Sequence, residues 1–201
     1  MLPGLAPLLS GGGAAPGNTI YTGAGTKSFV VPDYATYMDV EFWGGGGGRF
    51  PNAGFGTGGA VYCTALGMTA NGGAGWTNTL STQVAGRPGG TATGGDVNIT
   101  GNSGVSGTTP GGSGVSGGAG GAGRIGLYGN AYGAGTDGQS STYWQSGEDS
   151  GWYDSQGGMG GGGYCRKRFA AGLLPPGLTL SIIISSGGNG NGNGAARLTW
   201  S

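Results

Sequence analysis

The most regular pattern of apolar and polar positions in the chain is the alternation YMDVEFW at 37–43. Met38, Val40 and Phe42 point one way, and Tyr37, Asp39, Glu41 and Trp43 point the other. A period of two predicts a half-buried antiparallel strand, and this one runs straight into the unbroken glycines of 44–48. The segment LTLSIIIS at 178–185 puts Leu178, Leu180, Ile182 and Ile184 on one face, with Ile183 the exception on the Thr179, Ser181 and Ser185 side. AARLTWS at 195–201 closes the chain as a further strand, with Leu198 and Trp200 inward. Shorter strands are expected at 28–31 before the Pro32-Asp33-Tyr34 turn, at 60–63, at 96–100 with Val97 and Ile99 on one face, and at 168–171 before an LLPPG turn. Almost no α-helix is expected.

Elsewhere the period is three. Gly111, Gly114, Gly117, Gly120, Gly123, Gly126 and Gly129 stand at strict three-residue intervals. Three residues per turn is the period of a left-handed extended helix, in which one edge then carries only glycine. Such a helix makes no internal hydrogen bonds, so its amides and carbonyls must find partners on neighbouring segments. An edge without side chains lets those neighbours approach. Collagen needs abundant proline, and none occurs in 111–129. The reading is a bundle of polyglycine II helices from one chain; the alternative, a flexible Gly/Ser linker, has no reason to keep a phase. A related phase at Gly101, Gly104 and Gly107 slips at Pro110-Gly111, as a turn between two antiparallel threads would require.

Composition sharpens this. With 56 glycines in 201 residues the chain resembles disordered sequences, because glycine loses the most backbone freedom on folding. Disordered chains, however, carry high charge and few aromatics. Here 8% of residues are charged, the net charge is zero and 9% are aromatic, which favours an ordered fold. The length suits one domain, 19–201, preceded by an appendage at 1–18. In that appendage Leu2, Leu5, Leu8 and Leu9 are interleaved with Pro3 and Pro7, so it is either an apolar docking arm or a frayed terminus.

Histidine is absent, which removes the commonest general base and metal ligand and every Ser-His-Asp or Cys-His relay. No basic field marks a nucleic-acid partner, and Arg166-Lys167-Arg168 is read as a solvated strand edge or turn. The acids Asp137, Glu148, Asp149 and Asp154 are read as solvating a loop or binding calcium weakly, rather than as a paired-carboxylate hydrolase site. No enzyme, catalytic residue, cofactor or metal site is therefore expected. Cys63 and Cys165, in the matching phrases GGAVYC and GGGGYC, leave two readings open: one disulfide, or two buried thiols. No apolar run is long enough to predict membrane insertion.

The segments SFVVPDYATYMDVEFWGGGGG at 28–48, GGMGGGGYC at 157–165 and LPPGLTLSIIISSGGNGNGNGAARLTW at 174–200 resemble, in type and order, the glycine-rich domains of bacteriophage tail fibres and related virion surface proteins. The middle, 49–156, matches only in composition. A more distant likeness is to the glycine-rich extracellular domain of certain receptor tyrosine kinases. The resemblance implies a mainly β fold, an antiparallel β-sandwich base joined to a polyglycine II bundle, displayed on the virion. Its partners would be other virion proteins, further copies of the chain, and a bacterial surface glycan or protein receptor. Phage adhesins of this design bind through loops emerging from the glycine scaffold. Tyr143, Trp144, Trp152 and Tyr153 are then the contact candidates, since aromatic faces stack on sugars and nearby carboxylates accept hydroxyl hydrogen bonds. Against this stand packing of those aromatics onto the bundle or a neighbouring subunit, a purely structural role as a head decoration, fibre or collar component, and an ice-binding surface.

Overall fold

A computed structural model describes residues 15–34, 36–47, 56–75, 87–104, 124–127, 130–132, 140–142, 153–155, 160–187 and 192–201. The strands follow in order: β1 (Gly17–Thr22), β2 (Gly25–Val30), β3 (Tyr37–Trp43), β4 (Val61–Cys63), β5 (Met68–Ala70), β6 (Ala92–Thr93), β7 (Val97–Ile99), β8 (Arg124–Leu127), β9 (Asn130–Tyr132), β10 (Ser140–Thr142), β11 (Tyr153–Ser155), β12 (Tyr164–Ala170), β13 (Thr179–Ile184) and β14 (Ala195–Trp200). A 3-10 turn at Thr64–Leu66 is the only helical element among the described residues. One antiparallel sheet has the order β1-β14-β3-β12-β7 and the other β2-β13-β4-β5-β6; β8-β9 and β10-β11 are separate two-stranded ladders. Among the described residues the protein is thus mainly β, with two five-stranded antiparallel sheets and essentially no helix.

A single buried cluster draws on both sheets. Met38, Val40, Phe42, Phe169 and Leu198 come from the first, and Phe29, Val61, Met68, Leu180, Ile182 and Ile184 from the second. The alternation read in 178–185 sets three of these, while Leu178 itself lies outside β13 and is exposed. Trp200 is half-buried and tilted against Phe29, with ring centroids 5.8 Å apart. Val97 is also exposed. The expected strand at 168–171 begins instead at Tyr164, because β12 pairs with β3 along its whole length, Tyr164 opposite Trp43 through Ala170 opposite Tyr37. The appendage assigned to 1–18 gives way to β1 at Gly17, which pairs with Trp200.

At one pole the strands of both sheets run on into glycine-rich segments. These are 44–47 after β3, 56–60 before β4, 71–75 after β5, 87–91 before β6, 100–104 after β7, 160–163 before β12, 185–187 after β13 and 192–194 before β14. They are neither strand nor helix, yet backbone hydrogen bonds join them. The segment 160–163 bonds to four neighbours: Gly44 N–H donates to the Gly163 carbonyl at 2.8 Å, Gly163 N–H to Asn71 at 2.9 Å, Gly90 N–H to Gly161 at 2.8 Å and Gly161 N–H to Asn102 at 2.8 Å. A sheet strand has two sides for such bonding; this segment uses four directions.

Where two segments share more than one of these bonds, the bonds recur three residues apart. Gly44 bonds Gly163 and Gly47 bonds Gly160; Asn71 bonds Thr91 and Ala74 bonds Pro88; Gly101 bonds Gly90 and Gly104 bonds Arg87. Close approach is what demands glycine here. A methyl group on Gly45 would land on the Gly192 carbonyl, and one on Gly162 on the Gly44 carbonyl.

Of the run 111–129, Gly111, Gly114, Gly117, Gly120, Gly123 and Gly129 lie outside the described residues. Gly126 lies within β8, whose pairing with β9 shifts register between Ile125 and Leu127. The end of that run is therefore a two-stranded ladder, not a three-fold thread. Backbone amides at 124–127 find partners on 130–132 only a few residues away, and the short-range pairing wins.

Candidate binding face

The outward side of the first sheet carries a charged and aromatic face read from its register. Residues opposite one another across antiparallel strands share a side. Ile20, Arg197, Glu41, Arg166 and Val97 form one row across all five strands, and Thr199, Asp39 and Arg168 form part of the next. A third row runs Ala195, Trp43, Tyr164 and Ile99. The half-buried strand expected at 37–43 is consequently buried on both sides: Asp39 is 6% and Glu41 7% exposed. Of the 166–168 cluster, Arg166 stands opposite Val97 of β7 and so is not at an edge, while Arg168 lies beyond that pairing and remains exposed.

Buried carboxylates need partners, and β3 obtains them from the strands on either side. Asp39 accepts hydrogen bonds from Arg166 Nη2 at 2.7 Å and from Arg168 Nε at 2.8 Å and Nη2 at 2.6 Å. Glu41 accepts from the Tyr164 hydroxyl at 2.8 Å and from Arg197 Nε at 2.6 Å. Arg168 lies 4.0 Å over the Tyr37 ring and Arg197 5.5 Å over Trp43, contacts that favour a flat guanidinium. Burial pushes the Asp39 carboxyl up, but the hydrogen bonds and charges of Arg168 and Arg166 together outweigh it and hold it below the ordinary carboxylate range. Burial, reinforced by the Glu41 hydrogen bond, raises Tyr164, so its hydroxyl keeps its proton and remains a donor.

Chemically, this face offers hydrogen-bond donors and ring edges. Both carboxylates are fully engaged as acceptors, so neither stands free as a general base. Among the described residues no group of three His, Cys, Asp or Glu side chains is placed to hold a metal ion. Cys63 and Cys165 are buried free thiols; burial pushes Cys165 up to about 12 and raises Cys63 as well. Cys165 donates to the Thr69 carbonyl at 3.6 Å.

Of the predicted contact aromatics, Tyr143, Trp144 and Trp152 lie outside the described residues, as do Asp137, Glu148 and Asp149. Tyr153 and Asp154 fall in β11, opposite Thr142 and Ser141 of β10, so the chain leaves and re-enters this region on neighbouring strands. The Asp39, Glu41, Arg166, Arg168 and Arg197 network escaped the sequence reading. Its signal was present in DVE at 39–41 and RKR at 166–168, two charge pairs of opposite sign each spaced by two. Neither family models, curated proteins nor solved structures give a match to the chain.

Proposed function

We propose that the chain is a structural component of a bacteriophage particle, in a tail fibre or tail tip, built as a β-sandwich that carries a polyglycine II bundle. The three-residue recurrence of the hydrogen bonds, with four bonded neighbours around 160–163, supports the bundle. One buried cluster shared by both sheets supports the sandwich. The observation that carries the functional reading is polarity. Gly47 bonds Gly160, Gly160 bonds Ala74, Ala74 bonds Pro88 and Arg87 bonds Gly104, so the ends from which 48–55, 76–86 and 105–159 depart are gathered at one pole.

Bonded segments from whose common end several insertions depart are the layout of a contact protein. Tyr143, Trp144, Trp152 and Tyr153 belong to the largest of those insertions and are the residues proposed to meet a bacterial surface glycan or protein. Mass spectrometry of gradient-purified particles, with gold-labelled antibody to place the chain on the tail, tests the location; absence from purified particles rejects the reading. Trp144→Ala with Trp152→Ala then tests the contact: adsorption to host cells is lost and particle assembly kept. Unchanged adsorption would leave the purely structural role.

A further inference from the structure

We propose that the pole opposite the glycine segments is a docking surface for residues 1–9 of a second copy of this chain. The segment AGLLPPGL at 171–178 has no polar side chain, and all of it except Leu174 is exposed. Leu173 is 65% exposed, Leu178 37% and Val30, at the end of β2, 58%. Contiguous exposed apolar surface of this kind marks an interaction site more often than a solvated loop.

The surface is held in place. Gly177 N–H donates to the Val31 carbonyl at 2.8 Å and Val31 N–H to the Leu178 carbonyl at 2.8 Å, fixing this segment to the end of β2. The Tyr34 hydroxyl donates to the Ala170 carbonyl and accepts from Leu174 N–H, both at 3.0 Å. A receiver fixed in advance loses little conformational freedom on binding.

The occupant is argued from where the chain enters. The Ala15 carbonyl accepts from the Trp200 indole N–H at 2.9 Å, and Trp200 packs on Phe29, the neighbour of Val30. The described chain therefore enters β1 at this same pole, with residues 1–14 preceding it in sequence. Within them 1–9 reads MLPGLAPLL, which is apolar and uncharged like the surface. Leu173 and Val30 are exposed, so the pole offers the segment of another molecule an apolar seat. An arm of one copy seated on the pole of the next is a head-to-tail contact, which closes into a ring or runs on as a fibre.

Sedimentation velocity over a concentration series, on the full chain and two variants, tests this. One variant lacks 1–14; the other carries Leu173→Ser with Leu178→Ser, exposed positions at which folding should survive. The full chain associates, and each variant alone is monomeric. Mixed, the two variants form a one-to-one pair, because one supplies the pole and the other the arm. A full chain that stays monomeric, or variants that do not pair, overturns the proposal. Faster thiol labelling of Leu173→Cys once 1–14 is removed, in a monomeric protein, would assign the pole to the chain's own arm and equally overturn it. A fluorescent peptide of 1–14 guards against misfolding of the truncated chain. It binds the full-length chain and loses about tenfold or more in affinity on the double serine variant; equal binding to both rejects the site.

Discussion

Gly45 illustrates how much a single hydrogen atom decides. Its amide donates to the Gly59 carbonyl at 2.8 Å and its carbonyl accepts from Gly73 at 2.9 Å, while the Gly192 carbonyl occupies the space of a side chain. The obstacle is backbone, so no rotamer change relieves it. Gly45→Ala is expected to destabilise by more than about 3 kcal/mol, measured by denaturant titration, because three segments must shift together. Gly67 is the control. It has φ +63° with open space around its Cα, so Gly67→Ala meets only the left-handed backbone penalty of about 1 kcal/mol. Similar losses at the two positions would remove close approach as the reason for glycine.

At the scale of the element, β3 is the strand on which the first sheet depends. It is hydrogen-bonded on both edges, apolar on its inner side, and holds Asp39 and Glu41 beneath arginines on the outer side. Arg166 and Arg168 share Asp39, so either one alone leaves the carboxylate paired. Arg166→Ala is expected to cost less than about 1 kcal/mol, while loss of both arginines costs about 3 kcal/mol or more through an orphaned buried charge. A double-mutant cycle by thermal or chemical unfolding reads that non-additivity, and simple additivity would contradict the shared-carboxylate geometry. The same pairing has a pH signature. Asp39 ionises more readily folded than unfolded, so its contribution is full above about pH 4 and vanishes as pH falls through the folded value. Asp39→Asn should flatten that part of the acid limb while lowering stability at neutral pH.

Over the whole molecule two modes of cohesion meet. Among the described residues, apolar side chains of both sheets share one buried cluster, and the glycine-rich segments bond backbone to backbone with several neighbours. Each such bond contributes about 1 kcal/mol net, so the glycine half is stable only as a set and should open cooperatively with the sheets. Hydrogen exchange tests this directly. The amides of Gly44, Gly58, Gly73, Gly90, Gly161 and Gly163 are expected to exchange as slowly as those of β3 and β13, through global unfolding. Rapid exchange at those glycines would reduce the segment network to a loose tether.

The sequence by itself determined the strands at 37–43, 179–184 and 195–200, since a period of two with apolar residues on one side has one outcome when a core is available. It also announced that glycine would carry ordered structure, through the zero net charge and the aromatics. Tertiary structure alone decided which glycines meet. The described network is made by short blocks such as 44–47, 71–75 and 160–163, drawn from segments far apart in the chain, and no local period encodes such partners. It likewise decided that the outer side of β3 is closed. Asp39 and Glu41 look solvent-facing in a lone strand, and only the arrival of β12 and β14 on either edge places arginines over them. Local spacing sets which way a side chain points; long-range pairing sets what it meets there.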